Sequence, residues 1–442
     1  MSRKARKRAR RHAFGVTEIT DLASNARGVG HVDGKAVFVA DTLPGEQVLF
    51  QPVKVRRDYE EADMVTLFSA ATNRVTPECA HFGLCGGCAL QHASPDAQLR
   101  FKQGQLVSAL SRVGHVQAER ELAPLVGARW GYRRRARLGV KYVPKKGGTL
   151  VGFRERGKPF IAELSRCEVL VPSVGTRLRD LAHMIDRLTI RERIPQIEVA
   201  AADNRVALVF RVLDEPSAAD REVLAAFGTE YDFAIYLQPG NERTIAPLEG
   251  TAEPLYYTLP DFDARLYFLP NDFVQIHAGV NEAMVAAAIG HLDLQIEDTV
   301  LELFAGLGNF SVPLARSAGR VVTVEGEDGL VERARDNARA NDCANIEAHV
   351  DNLFEPAAAP AWMPERVDKV LIDPPRSGAA EVMPLIAASG ASRIVYCSCH
   401  PATLARDADT LVNQHGYRLV AAGVMDMFPH TAHIESMAVF ER

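Results

Sequence analysis

The sequence predicts an α/β fold of the doubly wound, Rossmann-like kind in its last third, preceded by a small OB-like β-barrel and a strand-rich middle. Three observations predict it. From about residue 271 the chain alternates β-type and helical runs, as in "VLELFAGLGNFSVPLARSAGRVVTVEGEDGLVERARDNARAN", with glycines at the first strand-to-helix turn. Residues 13–72 instead alternate apolar and polar side chains, with Pro44-Gly45 punctuating two strand-like runs. Between the two lie runs such as "IEVAAADNRVALVFRVL" and "DFAIYLQ", rich in strand-forming residues.

The whole-chain figures fit this division. A length of 442 residues suits about three domains, and 47% hydrophobic with 24% charged residues suits packed cores. We place a basic, disordered tail at 1–12, the barrel at 13–72, a central domain at 73–270 and the α/β domain at 271–442. The opening "MSRKARKRARRHAFG" has no apolar stretch and so is no secretory signal. No apolar run is long enough to cross a bilayer, which excludes a membrane-spanning class. Seven cysteines in a chain this long do not suggest a secreted disulfide framework. The expected setting is cytoplasmic, where a thiol is more often a metal ligand or a nucleophile.

A net charge of −5 hides an uneven distribution. Residues 1–12 carry seven Lys or Arg and no acid. Residues 127–158 carry eleven basic residues against one acidic, interleaved with Trp130, Tyr132, Tyr142 and Phe153. Such density attracts polyphosphates, and aromatic faces accept unstacked bases, so we expect a nucleic-acid surface here. Between barrel and middle, Leu99, Phe101, Leu106, Leu110 and Val113 have helical spacing over 96–113.

In the last third, Gly306 and Gly308 let the backbone turn beside a ligand where a Cβ would obstruct it. Glu325 stands 19 residues after Gly306, where an acid at a second strand's tip accepts from ribose hydroxyls. Position 311 is Ser, so the third glycine of a dinucleotide fingerprint is missing, which suits a ligand without a pyrophosphate. Asn352 and Asp373 end the third and fourth strands. A lone glycine loop would be a turn and lone acids would be caps; four such features in register point to a cofactor site. The segment resembles a class I S-adenosylmethionine-dependent methyltransferase. Its "DPPR" carries Arg376 where enzymes that methylate exocyclic amines usually carry an aromatic residue, which disfavours amino methylation.

The stretch "IVYCSCHPATLARD" holds Cys397 and Cys399 at a strand end. In an extended strand such a pair shares a face but is too far apart for an unstrained disulfide. Metal ligation lacks partners at ligand spacing, leaving a nucleophile beside two packed thiols as the bland reading. Uracil C5 is a poor nucleophile until a thiolate adds to C6, and a base must later remove the C5 proton. Cys399, nearer the loop tip, is the better placed thiol, with Cys397 packed inside.

"SCHPATLARD" and "DMFPHTAHIESMAVF" closely resemble the RNA uracil-C5 methyltransferase family. The resemblance puts the nucleophile on Cys399 and the general base on Glu435. It puts S-adenosylmethionine contacts on Gln275, Phe304, Asn309, Glu325, Asn352 and Asp373. His400 stands where the family usually has Asn. In "ECAHFGLCGGCALQHA", Cys79, Cys85 and Cys88 form C-x5-C-x2-C, and Cys167 is available as a fourth ligand. One C-x2-C knuckle suits an iron–sulfur site better than a zinc site, and the resemblance implies a [4Fe-4S] cluster on these four. Residues 13–72 resemble a TRAM domain, a small RNA-binding barrel. The transfer-RNA members generally lack both barrel and cluster, so their combination implies 23S ribosomal RNA as the partner. It also implies that the helix at 96–113 packs on the catalytic domain. We expect a monomer that uses no membrane. RNA cytosine-C5 and transfer-RNA uracil-C5 methylation are the alternatives; the first usually has Cys where this chain has Arg376.

Overall fold

The structure, a computed structural model, describes residues 14–442; the basic segment 1–12 lies outside the described residues. Two compact units form. The first takes residues up to Gln105 with Arg154–Phe160 and Phe428–His433; the second takes Leu106–Phe153, Ile161–Met427 and Ile434–Arg442.

In the first unit, β1 (Gly15–Leu22), β2 (Gly28–Val32), β3 (Lys35–Ala40), β4 (Gln47–Val55) and β5 (Tyr59–Ser69) close a barrel in the order β1-β2-β3-β5-β4. The period-2 pattern turns Ile19, Val37, Val39, Val48, Phe50 and Ala62 inward as its core. Beyond the barrel, Arg74 pairs with the buried Glu46 at 2.5 Å. The helix Pro95–Arg112 then begins. Its first turns bury polar side chains rather than apolar ones. Gln98 Nε2 donates to the carbonyls of Leu90 (3.0 Å) and Ala93 (2.9 Å), and its Oε1 accepts from His430 N–H (2.9 Å). Lys102 Nζ, fully buried, donates to Phe428 O at 2.9 Å. The irregular backbone beside the helix needs partners, and these side chains supply them.

The second unit holds the rest. β7 (Arg135–Val143), β8 (Gly148–Gly152), β9 (Gln196–Ala201), β10 (Val206–Arg211), β11 (Phe233–Gln238) and β12 (Ala246–Pro247) form a sheet in the order β12-β11-β10-β9-β7-β8. This middle region also carries helices. The helix Ala218–Tyr231 starts at a capping box between Ser217 and Asp220 and joins β10 to its parallel neighbour β11. β13 (Leu255–Leu259) and β14 (Ala264–Phe268) form a separate hairpin.

The largest sheet gathers β15 (Thr299–Leu303), β16 (Arg320–Glu325), β17 (Ile346–Val350), β18 (Lys369–Ile372), β19 (Arg393–Ser398), β20 (Arg418–Met425) and β21 (Glu435–Glu441), with the short β6 (Arg120–Glu121) at one edge. Its order is β17-β16-β15-β18-β19-β21-β20-β6. β15 to β19 run parallel, and β21 enters antiparallel beside β19. The chain leaves β15 toward one side through β16 and β17, then returns to the other side at β18. That reversal opens a crevice at the carboxyl ends of β15 and β18. Leu301, Leu303, Val322, Ile372, Ile394, Tyr396 and Phe440 pack beneath it, joined by Leu106 and Leu110.

Candidate active site

Register lines the strand ends up. Val350 pairs with Glu325, Val324 with Leu303, Leu303 with Ile372 and Ile372 with Tyr396. One step further along these parallel ladders stand Phe304, Asp373 and Cys397. On the antiparallel side the ladder ends where Ser398 faces Ser436, and Cys399 and Glu435 are the next residues along the two chains.

The turn after β15 is tight. Phe304 has φ +62°, in the left-handed region that bulky side chains avoid, followed by Gly306 at +57° and Gly308 at +99°. Phe304 and Ala305 N–H both reach Val324 O, at 2.9 and 3.3 Å, so the strand ends in a hooked turn. Phe304 stacks obliquely on Phe354, 5.7 Å between centroids, and Phe354 is 41% exposed. Nothing in the spacing singled out Phe354. Glu325 accepts from the N–H groups of Gly306 (3.0 Å), Gly326 (2.7 Å) and Glu327 (3.1 Å), so it holds the glycine turn against its own strand. Asn309 exchanges amide hydrogen bonds with Asn281 at 2.9 and 3.0 Å and accepts from Tyr257 Oη at 2.9 Å. Its side chain is committed to the protein, and it acts on the turn as a fixed post.

Asn352 is exposed and accepts from Phe354 N–H at 3.1 Å. Gln275 is half-buried in the loop between β14 and the helix Ala278–Leu292. That loop is anchored by the buried Asp272, which accepts from Leu269 N–H (2.7 Å) and pairs with Arg333. At its far end His277 Nε2 meets Ala128 O at 2.8 Å. Asp272, Arg333, Asn281 and Tyr257 carry no spacing signal; they hold the residues that do.

Carboxyl groups crowd the crevice. Glu302 is fully buried, and desolvation pushes its pKa up to about 8 despite a 2.5 Å hydrogen bond from Ser311 Oγ; Asp373 and Glu325 add to the rise. Burial pushes Asp373 up to about 7. The Cys399 thiol goes up to about 12 through burial, then through the charges of Glu435 and Asp373, with Arg376 opposing them. Cys397, 1% exposed, is also pushed well up, by burial and then by the charges of Asp373 and Glu435. Arg376 lies on the loop after β18, which is clamped to the helix Pro401–Asp409. Asp407 Oδ2 accepts from Ala379 N–H and Tyr396 Oη, both at 2.8 Å, Arg406 Nη2 donates to Ser377 O at 3.0 Å, and Thr403 Oγ1 donates to Arg376 O at 3.3 Å. His400 N–H donates to Ser398 Oγ at 3.1 Å, and burial and Arg376 lower the imidazole's pKa.

Part of the basic stretch 127–158 is paired within the protein. Arg134 pairs with Asp203 (2.5 Å), Arg137 with Glu198 (2.9 Å), Lys146 with Glu163 (3.4 Å) and Lys158 with Glu155 (3.0 Å). Its aromatic faces are taken too: Tyr132 stacks on His277, Arg191 lies over Tyr142 and Arg133 over Phe153. Among the described residues no group of three or more His, Cys, Asp or Glu is placed to hold a metal ion.

The strand order, the left-handed glycine turn and the strand-end carboxyls define an α/β methyltransferase of the S-adenosylmethionine-dependent class. A family described as tRNA (uracil-5-)-methyltransferase matches residues 257–351 and 364–442. A 23S rRNA (uracil(1939)-C(5))-methyltransferase RlmD from Alkalilimnicola ehrlichii is 52% identical, covering 99% of this chain and 98% of its own. An RlmD from Alcanivorax borkumensis is 49% identical over 96% of each. The chain belongs to the RNA uracil-C5 methyltransferase family. The solved tRNA (uracil-54, C5)-methyltransferase of Pyrococcus abyssi, in complex with S-adenosyl-L-homocysteine, superposes with a TM-score of 0.74 at 24% identity, covering 96% of this chain and 99% of that one. Coverage this wide takes in the barrel, so the barrel fold is shared with that chain.

Proposed function

We propose that this protein transfers the methyl group of S-adenosylmethionine to C5 of one uridine in 23S ribosomal RNA. The observation that supports the mechanism is the ladder ending at Ser398 facing Ser436, which leaves Cys399 and Glu435 as the next residues on the two chains, close enough for the Glu435 charge to act on the thiol. Gln275, Phe304, Asn309, Glu325, Asn352 and Asp373 would hold S-adenosylmethionine, which when bound supplies an electrophilic methyl group. The target uridine is turned out of its stack into the crevice. Cys399 sulfur adds to C6, and the displaced ring electron pair makes C5 nucleophilic. Once C5 carries the methyl group, Glu435 removes its proton, and the electron pair left behind restores the double bond and expels the Cys399 thiolate.

Tritium release from ribosomal RNA labelled at uridine C5 tests the activity. Wild type should release tritium with S-adenosylmethionine, Cys399→Ala should release none while folded, and Cys397→Ala should still turn over. Glu435→Gln should accumulate a covalent protein–RNA adduct, seen as a retarded band on a denaturing gel. Release by Cys399→Ala at the wild-type rate removes that thiol from the mechanism. Labelled transfer RNA, run in parallel, decides between substrates.

We further propose a [4Fe-4S] cluster on Cys79, Cys85, Cys88 and Cys167. Its support is the C-x5-C-x2-C spacing with Gly86-Gly87, and the Gly87 N–H that points at Cys85 Sγ at 3.4 Å, as backbone donors do at cluster sulfurs. The chemistry above uses none of it. Iron and sulfide analysis of anaerobically purified protein checks it, with Cys88→Ala expected to lose both.

A further inference from the structure

The cysteine loop carries a built projection that the proposed chemistry does not use. Arg154–Phe160 folds back on itself: Glu155 N–H reaches Phe160 O at 2.8 Å, Lys158 N–H reaches Glu155 O at 3.2 Å, and Gly157 takes φ +65° at the tip. The projection is laced to the loop by Gly86 N–H to Arg154 O and Arg156 N–H to Leu84 O, both 2.9 Å, and by a bridge between Cys85 and Glu155. The fit is close; a Cβ on Gly86 would stand 3.2 Å from Arg154 O. Arg156 serves as the spine, lying over Phe82 at 5.3 Å and pairing with Asp41 at 2.5 Å.

What this scaffold presents is an aromatic ring in solvent. Phe160 is 63% exposed and Leu84, held in the same small ladder, is 42% exposed. Arg154 is exposed and forms no salt bridge with any described residue. Apolar tips on mobile loops need no explanation, but here the backbone is fixed and the ring is left out. The aromatics of residues 132–153 already face protein partners, so Phe160 is the ring near this basic region with a free face. An exposed ring on the same fixed turn as a guanidinium without an ion pair matches an unpaired nucleotide, with the base on the ring and a phosphate on the arginine.

Resting on the RNA reading above, we infer that Arg154–Phe160 is a docking finger on which Phe160 stacks an unpaired base of the substrate RNA away from the target uridine, while Arg154 holds the adjoining phosphate. The test uses the full-length protein with a ribosomal RNA fragment. Phe160→Ala should raise KM for RNA by about tenfold, the range of one base stack, with kcat and KM for S-adenosylmethionine unchanged. Phe160→Trp should restore KM, and Arg154→Ala should flatten its salt dependence. A photo-crosslinker at position 160 should join to a nucleotide that is unpaired in the RNA. Equal KM for wild type and Phe160→Ala overturns the finger, as does a crosslink to a second protein copy or light scattering in which Phe160→Ala dissolves a dimer. If Phe160→Ala fails to fold, Phe160→Trp and the crosslink decide alone. Absence of tritium release by wild type is a separate failure, of the activity itself.

Discussion

Replacing Glu302 by Gln should change how the stability of the ligand-free protein depends on pH, the variant gaining on wild type as pH rises. Glu302 has no exposed surface, and its pKa rises from an ordinary 4.5 to about 8. Below pH 4.5 both folded and unfolded chains hold the proton, and the group is neutral in its effect. Between pH 4.5 and 8 the unfolded chain ionises while the folded one keeps its proton, so stability falls as pH rises. By pH 7 the loss is about 3 kcal/mol, from 1.36 kcal/mol per pH unit, and above pH 8 it levels off. Gln keeps the acceptor for Ser311 Oγ, but its amide must occupy the place of Glu302 Oε1, which has no hydrogen-bond partner. That adds a constant cost of about 1–3 kcal/mol, so the readout is the slope of the difference rather than its size. Both tryptophans, Trp130 and Trp362, lie in the second unit, so their fluorescence reports its unfolding. Urea unfolding at pH 5, 6, 7 and 8 should show the variant gaining on wild type at each step. A difference that stays flat over that range refutes the buried, proton-holding carboxyl.

Three further outcomes follow from the same geometry. In the ligand-free enzyme, alkylation of Cys399 followed by peptide mass spectrometry should accelerate tenfold per pH unit with no plateau below pH 10, because the thiol titrates near 12; Glu435→Gln, which removes a charge that opposes the thiolate, should speed it at every pH. Asp407→Ala strips an acceptor from Tyr396 Oη, Ala379 N–H and Arg406 Nε, each 2.8 Å away, and should cost about 3–5 kcal/mol of stability with a loss of turnover as the Arg376 loop loosens. Tyr257→Phe removes one hydrogen bond to Asn309 and should raise KM for S-adenosylmethionine several-fold, at about 1 kcal/mol, leaving KM for RNA unchanged.

The α/β third was readable because its signals are local. A strand followed by glycines followed by a helix is written in consecutive residues, and Glu325, Asn352 and Asp373 sit where such strands end. The barrel showed for the same reason, through alternation. What lay hidden is held by contacts distant in sequence. Asn281 and Asn309 are 28 residues apart, Tyr257 and Asn309 are 52, and Lys102 reaches a carbonyl 326 residues away. The helix Pro95–Arg112 misled for this reason. Leu106 and Leu110 are buried as their spacing suggests, but Val113 is 47% exposed while Gln98 and Lys102 go inside to serve loop carbonyls. Charge density was only partly informative for the same reason. Counting eleven cations over 127–158 could not reveal that acids from elsewhere in the chain, among them Asp203, Glu198 and Glu163, had neutralised several of them.

The placement of Cys399 poses a conflict that the fold resolves by distance along a strand. The proposed mechanism needs a thiolate for addition, yet Glu435 and Asp373 both oppose its formation. Burying the thiol as deeply as Cys397 would raise its pKa further and close it to a substrate. One rung beyond the end of β19 the chain turns out through His400 and Pro401, and the sulfur leaves the buried row that ends at Ser398, where its side chain is half-exposed and within the field of Arg376. Two residues separate an inert thiol from a reachable one. The two-residue shift keeps the strand face constant, so Cys399 keeps Cys397's aim toward Asp373 and Glu435 while gaining access to solvent and to a cation.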